Sequence, residues 1–292
     1  MSNTIRLRAF AKVNLSLNIT GRDGVRGMHM LDSVMMSVDM FDTVTVSPRT
    51  DSDIRVKFIG ADFVPTENNT AYKAAKAVQD MIGCSGFDIT VEKGIPVGAG
   101  LGGSSADGAA VLRALDVLYK LGGCGVDMRS VALSVGSDVP FMLTGGLARV
   151  SGFGEQLFFI ENKLKLFMVG LMGSSVSTAA AYAKFDELYK SCKYCPTDNE
   201  KLCNLLLDGD NKAIEHLGNA LYEPAVCLSP DIEKNAELLA SYGGAVCLTG
   251  SGGMTLGYFT DIQRFYECYS ALKSRGCRVF APTKTGVLHE RV

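Results

Sequence analysis

Between Glu92 and Leu115 the chain reads EKGIPVGAGLGGSSADGAAVLRAL. Gly98, Gly100, Gly102 and Gly103 fall within six positions, and Ser104 and Ser105 follow directly at the start of a helical pattern. Glycine lets the backbone turn without steric cost and lets amide groups come close to a ligand. A helix opening beyond such a turn points free N–H groups and the positive end of its dipole back at the loop. Together these make an anion site, and phosphate is its usual occupant. The helix expected over Asp107 to Leu121 puts Val111, Leu112, Leu115, Leu118 and Tyr119 on one stripe, with Gly122-Gly123 as its stop.

Two known phosphate loops can be compared with this one. A Walker loop, GxxxxGK[ST], matches the spacing of Gly98 and Gly103, but Ser104 stands where the lysine is needed. A dinucleotide fingerprint, GxGxxG, is present at Gly98, Gly100 and Gly103. It requires a second strand after the helix, ending in an acidic residue. The chain gives instead GGCGVDMRSVALSVGSDVP, with Asp127 placed to cap another helix. A tight strand-to-helix turn without a ligand stays open on the glycines alone. The serine pair at a helix start speaks against it.

The flanking segments mix both element types. Ile5 to Ile19 alternates and reads as a strand, a glycine-rich turn spans Gly21 to Gly27, and one or two strands run on to Pro48. Asp53 to Ile59 and Phe87 to Val91 read as strands, and Asn69 to Ile82 as a helix capped by Asn69. A strand over Lys165 to Leu171 opens a second unit. It is followed by helices over Ser177 to Tyr189, Asn211 to Leu221 and Ser229 to Tyr242, a hairpin in AVCLTGSGGMTLGYF, a helix from Asp261 to Arg275 and a strand near Arg278 to Ala281. Without strict βαβ alternation this favours an α+β fold in two lobes, 1–160 and 161–292.

Lys and Arg number 29 against 31 Asp and Glu, a net charge of −2, so no basic surface argues for nucleic acid and no polybasic segment for a membrane. The first residues, interrupted by Arg6, Arg8 and Lys12, do not read as a signal peptide, and a cytoplasmic location is expected. Nine irregularly spaced cysteines fit reduced thiols better than a disulfide framework. Cys192 and Cys195 form a CxxC, but only Cys203 and His216 are at hand to complete a zinc set, so the pair reads as two incidental loop thiols.

PVGAGLGGSSAD resembles the phosphate loop of the GHMP small-molecule kinases. Ala11-Lys12-Val13-Asn14-Leu15 is similar to that family's first motif, and Leu248-Thr249-Gly250-Ser251-Gly252-Gly253 to its third. Three motifs in order cover nearly the whole chain. The resemblance implies a ribosomal-protein-S5-domain-2-like ATP lobe, a ferredoxin-like second lobe, and phosphorylation of an alcohol with ATP and Mg²⁺. AKVNLSLNITGRDG, Gly136 to Phe141, ARVSGFGEQL, Val176 to Tyr182 and Tyr222 to Val226 resemble the branch acting on a cytidine diphosphate-linked methylerythritol. Another alcohol, or a non-catalytic nucleotide sensor, is the alternative; a sensor is expected to lose Lys12 or Asp138, and both are present. Where the branch has Gly-Tyr-His, with the Tyr stacked on cytosine, this chain has Gly27-Met28-His29.

By this resemblance Asp138 accepts or orients the proton of the attacking hydroxyl, and Lys12 places a cation beside it. On the residues alone Asp138 reads rather as a turn aspartate held extended by Pro140, two residues on. A Lys inside an apolar strand, however, calls for a partner carboxylate or phosphate, unless it lies on the wet face of an edge strand. Asn14, two residues on, shares the Lys12 face and would bond the substrate hydroxyls. His29, Thr178 and Tyr182 would form the base pocket. ATP would be held by Asn69, Lys93, Pro96, Val97, Gly98, Ala99, Gly100, Leu101, Gly102, Gly103, Ser104, Ser105, Thr249, Gly250 and Ser251, with Ser105 on Mg²⁺ and Asp107 in support. Monomer and homodimer both stay open.

Overall fold

The computed structural model describes residues 4–24, 27–61, 67–191 and 193–290. Strand β1 (Ile5–Arg22) pairs antiparallel with β2 (His29–Pro48) along almost its whole length. Alternation sends Val13, Leu15 and Leu17 into the apolar core. The opposite face of β1 carries Lys12, Asn14, Ser16 and Asn18, and all four are buried as well. A strand buried on both faces yet polar on one must find hydrogen bonds there. Some come from β2, where Ser16 Oγ accepts from Val34 N at 3.0 Å, and others from the second half of the chain, where Thr249 Oγ1 accepts from Asn14 N at 3.1 Å and Thr197 O accepts from Asn18 Nδ2 at 2.8 Å.

The end of β2 pairs with β4 (Phe87–Glu92), and its beginning pairs with β5 (Leu147–Gly152). β3 (Ile54–Ile59) adds parallel to β4, and β6 (Gln156–Ile160) adds antiparallel to β5. Helices α1 (Thr70–Ile82) and α2 (Gly103–Tyr119) pack on each other, and α2 also lies against β1. Nine residues of α2 are buried, including Ala106, Ala109, Ala110 and Ala114, so small side chains bring its axis close to the sheet. Short helices α3 (Met128–Val135) and α4 (Val139–Thr144) complete this layer.

A second, four-stranded antiparallel sheet begins with β7 (Phe167–Met172). After α5 (Thr178–Leu188) and α6 (Asn199–Asp208) the two-residue strand β8 (Gly218–Asn219) pairs parallel to β1. Helices α7 (Tyr222–Leu228) and α8 (Asp231–Ala240) lead to the hairpin of β9 (Ala245–Leu248) and β10 (Met254–Phe259). Then follow α9 (Ile262–Leu272), β11 (Arg278–Phe280) and β12 (Val287–His289). The sheet order is β11-β7-β10-β9, while β12 returns to pair with β1. Val169, Leu171, Leu239, Phe259, Cys268 and Leu272 form the core between this sheet and α8 and α9. The fold is α+β and two-lobed, as expected.

Local expectations differ in several places. Asn211 to Leu221 is not one helix: a 3-10 turn over Asn211–His216 gives way to β8, because Gly218 and Asn219 are drawn into the sheet beside β1. The helix α6, unassigned from the sequence, is capped by Asp198, whose carboxylate accepts from Lys201 N at 3.0 Å. Tyr222–Leu228, also unassigned, is helical. Helix α2 ends before its glycines, with Lys120 itself left-handed at φ 53°. Cys192 lies outside the described residues, and among those described no group of three or more His, Cys, Asp or Glu is placed to hold a metal. No described helix is long and apolar enough to cross a membrane.

Candidate active site

The glycine loop and the third motif hold each other backbone to backbone. Gly100 has φ +76°, and a Cβ placed there would lie 2.1 Å from the Thr249 carbonyl oxygen. Conversely, a Cβ on Gly253 would lie 2.1 Å from the Gly98 oxygen. Thr249 is fully buried, its hydroxyl oxygen accepting from Asn14 N and its hydroxyl donating to Gly100 O at 3.3 Å. Leu101 O accepts from Lys12 N at 2.9 Å. The three sequence motifs therefore meet at one seam, and glycine is required there by contact between the loops.

Helix α2 opens at this seam with Gly102 at its cap position and no side chain bonded to its first amides. Those N–H groups are left for an anion. The Ser104 hydroxyl meets that of Thr70, whereas Ser105 has no protein partner among the described residues. A cavity of about 470 Å³ lies against the loop, lined along Pro96 to Ser105 and by Asn69, Lys93 and Asp107. Asn69 caps α1, its Oδ1 accepting from Ala71 N at 2.8 Å, while also facing this cavity.

Lys93 is less free than its place suggests. Its ammonium is buried between Asp42 and Asp107, 2.9 Å from Asp107 Oδ2. Asp42 Oδ1 also accepts from Gly94 N and Ile95 N, at 2.7 and 2.8 Å, so this cluster anchors the start of the loop. Burial pulls the Lys93 ammonium down, but Asp107 and Asp42 outweigh it and leave it raised. Burial pushes the Asp107 carboxyl well up, the charge of Asp42 adds to that, and its Oδ1 has no partner. Two buried carboxylates thus share one cation. Lys93→Met is expected to destabilise the fold by about 3–5 kcal/mol, because it strands both acids. Asp107→Asn keeps an acceptor for Lys93 and removes the excess charge, so its melting temperature at neutral pH should equal or exceed that of the parent. Thermal denaturation of the two variants checks both; a large loss for Asp107→Asn would mean the carboxylate is needed charged.

A second cavity, of about 550 Å³, lies on the other side of the loop and is lined by Lys12, Asn14, His29, Asp138 and Tyr182 among others. The two cavities share Gly100, Gly102, Thr178 and Ser251. Lys12 Nζ donates to Asn14 Oδ1 at 2.6 Å and lies 3.6 Å from Asp138 Oδ2, an ion pair rather than a hydrogen bond. Asn14 Oδ1 also accepts from Gly250 N at 3.0 Å, and its Nδ2 donates to Ser33 Oγ at 2.8 Å. Asp138 stands at the N-cap position of α4 without capping it, and its side chain is 26% exposed to the cavity side. The carboxylate is held by a buried cation and otherwise left available.

Thr178 lies at the junction of the cavities, bonded to Ser251 Oγ at 2.9 Å, rather than deep in the second one. There the His29 ring stacks on Tyr182, with centroids 4.8 Å apart and planes at 24°. Burial, and then the nearby charge of Asp138, raise the Tyr182 phenol, which stays protonated. Met28 is 46% exposed at the mouth. Thr249 lines neither cavity and acts as the brace described above.

Sequence reasoning missed Asp42, Asp186, Arg22 and Ser33. Asp42 carried the same signal as Lys12, a charge inside an apolar strand. Asp186 lies four residues after Tyr182 on α5, so helical spacing puts the two on one face.

A profile of the GHMP kinases N-terminal domain matches residues 69–146. A 4-diphosphocytidyl-2-C-methyl-D-erythritol kinase of Clostridium botulinum is 31% identical over 94% of this chain and 98% of its own. Another, from Chlorobium phaeobacteroides, is 35% identical over 89% of this chain and 90% of its own. Among solved structures, a 4-(cytidine 5'-diphospho)-2C-methyl-D-erythritol kinase is 29% identical with a TM-score of 0.76, covering 95% of this chain and 99% of the other. Homoserine kinase from Cytophaga hutchinsonii, 18% identical with a TM-score of 0.74 over 99% of this chain and 98% of its own, shares the fold.

Proposed function

Because the chain belongs to the 4-diphosphocytidyl-2-C-methyl-D-erythritol kinase family, we infer that it transfers the γ-phosphoryl group of ATP to the 2-hydroxyl of 4-diphosphocytidyl-2-C-methyl-D-erythritol, a step of the non-mevalonate isoprenoid route. The observation that carries this is the pair of cavities joined at Gly100, Gly102, Thr178 and Ser251, with Lys12 and Asp138 beside the join. The loop cavity takes ATP, its phosphates on the free amides of α2. The second cavity takes the cytidylated polyol, its base near His29 and Tyr182 and its reacting hydroxyl near Asp138.

Phosphoryl transfer asks a protein mainly to position groups and neutralise charge. The hydroxyl oxygen bonds to the γ-phosphorus as the bond to the β-bridging oxygen breaks, ADP leaves, and Asp138 takes the proton. Lys12 faces both the carboxylate and the transferred group, and Asn14 fixes Lys12 against Gly250. Ser105, with Asp107 behind it through its unpartnered Oδ1, would hold Mg²⁺ together with phosphate oxygens and water; the ion would neutralise phosphate charge. Lys93 contributes by anchoring the loop. We assign the ATP lobe to residues 1–160 and the second lobe to 161–292, and the site to a monomer or homodimer acting in the cytoplasm on small molecules.

The test is ADP release with Mg²⁺-ATP, comparing the cytidylated polyol with 2-C-methyl-D-erythritol, homoserine and mevalonate. Turnover of the cytidylated substrate alone is expected. Turnover of another alcohol in its place would keep the kinase and discard the substrate, and ATP binding without any turnover would discard the kinase.

A further inference from the structure

Asp186, a position outside all three motifs, lines the second cavity beside His29. His29 is pinned on several sides. Its face lies on Tyr182, its edge meets Phe185 with centroids 6.5 Å apart and planes at 88°, and its Nε2 lies 2.8 Å from Asp186 Oδ1. Arg22 Nη1 donates to the other carboxylate oxygen, Oδ2, at 3.1 Å, which fixes the plane of Asp186 in turn. An ionised carboxylate can only accept, so the proton of that bond sits on Nε2. In the neutral ring this leaves Nδ1 with its lone pair, and among the described residues Nδ1 has no protein partner.

We propose that Asp186 is a positioning residue that locks His29 in the Nε2–H form, so that Nδ1 accepts from the 4-amino group of a cytosine and rejects the 4-keto oxygen of a uracil. The inference rests on the reading of this cavity as a cytidine site. Cytosine carries an amino donor at the position where uracil carries an acceptor, and two acceptors facing each other in a cavity leave both unpaired. Met28 strengthens the point. With no aromatic ring there to cover the second face of the base, recognition rests more on its edge, and the edge is read correctly only if the proton of His29 is on the far nitrogen. An asparagine at 186 can offer either its oxygen or its amide hydrogens to Nε2, so the lock is lost although the shape is kept.

The experiment compares the parent, Asp186→Asn and Asp186→Ala, each with the cytidine diphosphate-linked substrate and its uridine counterpart, and records the ¹⁵N spectrum of the His29 imidazole. The parent is expected to carry its proton on Nε2 and to favour cytidine. Both variants should raise KM for the cytidylated substrate about 10–100-fold, with kcat falling less than about threefold, and narrow the cytidine-to-uridine preference by the same factor. A His29 protonated on Nδ1 in the parent, or variants with the parent's base preference, would overturn the role of Asp186 alone. A parent that turns over the bare polyol as well as the cytidylated one would overturn the cytidine site itself, and this inference with it.

Discussion

Asp138→Asn is expected to lower kcat by about a thousandfold, within the range that a positioned acid or base contributes, while KM for ATP changes by less than about threefold. The substitution is nearly isosteric, and Asp138 does not cap the helix it precedes, so no structural bond is lost with the charge. What is lost is the acceptor for the hydroxyl proton and the counter-ion 3.6 Å from Lys12. The two cavities predict the split: the cavity proposed for the nucleotide runs along Pro96 to Ser105, and Asp138 lines only the other one. Single-turnover and steady-state ADP release measure it. An unchanged kcat would remove Asp138 from the chemistry, and a large rise in KM for ATP would mean the division of the cavities is wrong.

Gly100→Ala should do comparable damage by a different route. The added methyl meets a backbone oxygen at 2.1 Å on a left-handed residue, so neither a rotamer change nor a small side-chain shift relieves it. The glycine loop must move away from Thr249, and with it the amides at the start of α2. Displacing catalytic groups by about 1 Å costs on the order of 100-fold in rate, and the strained backbone costs about 1–3 kcal/mol of stability. Both kcat/KM for ATP and the melting temperature should fall. Gly123→Ala, where a Cβ meets nothing within 4 Å, is the control and should behave as the parent. Near-parental efficiency in Gly100→Ala would show that the two loops do not need this contact.

Much of this site could be read from local chemistry. The glycines and serines at the start of α2, the Asn69 and Asp127 caps, and Lys12 in an apolar strand each violate or satisfy a short-range rule, and each occurs where that rule places it. What escaped was set at long range. β8 is two residues long and has no periodicity to show; it exists because β1 is beside it and because Asn219 Nδ2 donates to Leu248 O and Gly250 O, both at 2.8 Å. The engagement of Lys93 by Asp42 and Asp107 joins residues 51 and 14 positions away, and no spacing rule connects them. The His29–Asp186 pair spans 157 positions. Motif resemblance brought the loops together in advance; the ion pairs that set their stiffness are visible only in three dimensions.

The polar face of β1 bears on how the chain is made. During synthesis β2 follows β1 closely, but β8 and β12, the other neighbours of β1, lie near residues 218 and 288. Domains tend to fold as their residues leave the ribosome, and half-built sheets with apolar surface showing are prone to aggregate. The surface that waits longest here carries Lys12, Asn14, Ser16 and Asn18, groups that water solvates well. Two of these residues, Lys12 and Asn14, later hold the reactive seam together, so the groups that serve the folded site also give the unfinished sheet a face that water can solvate.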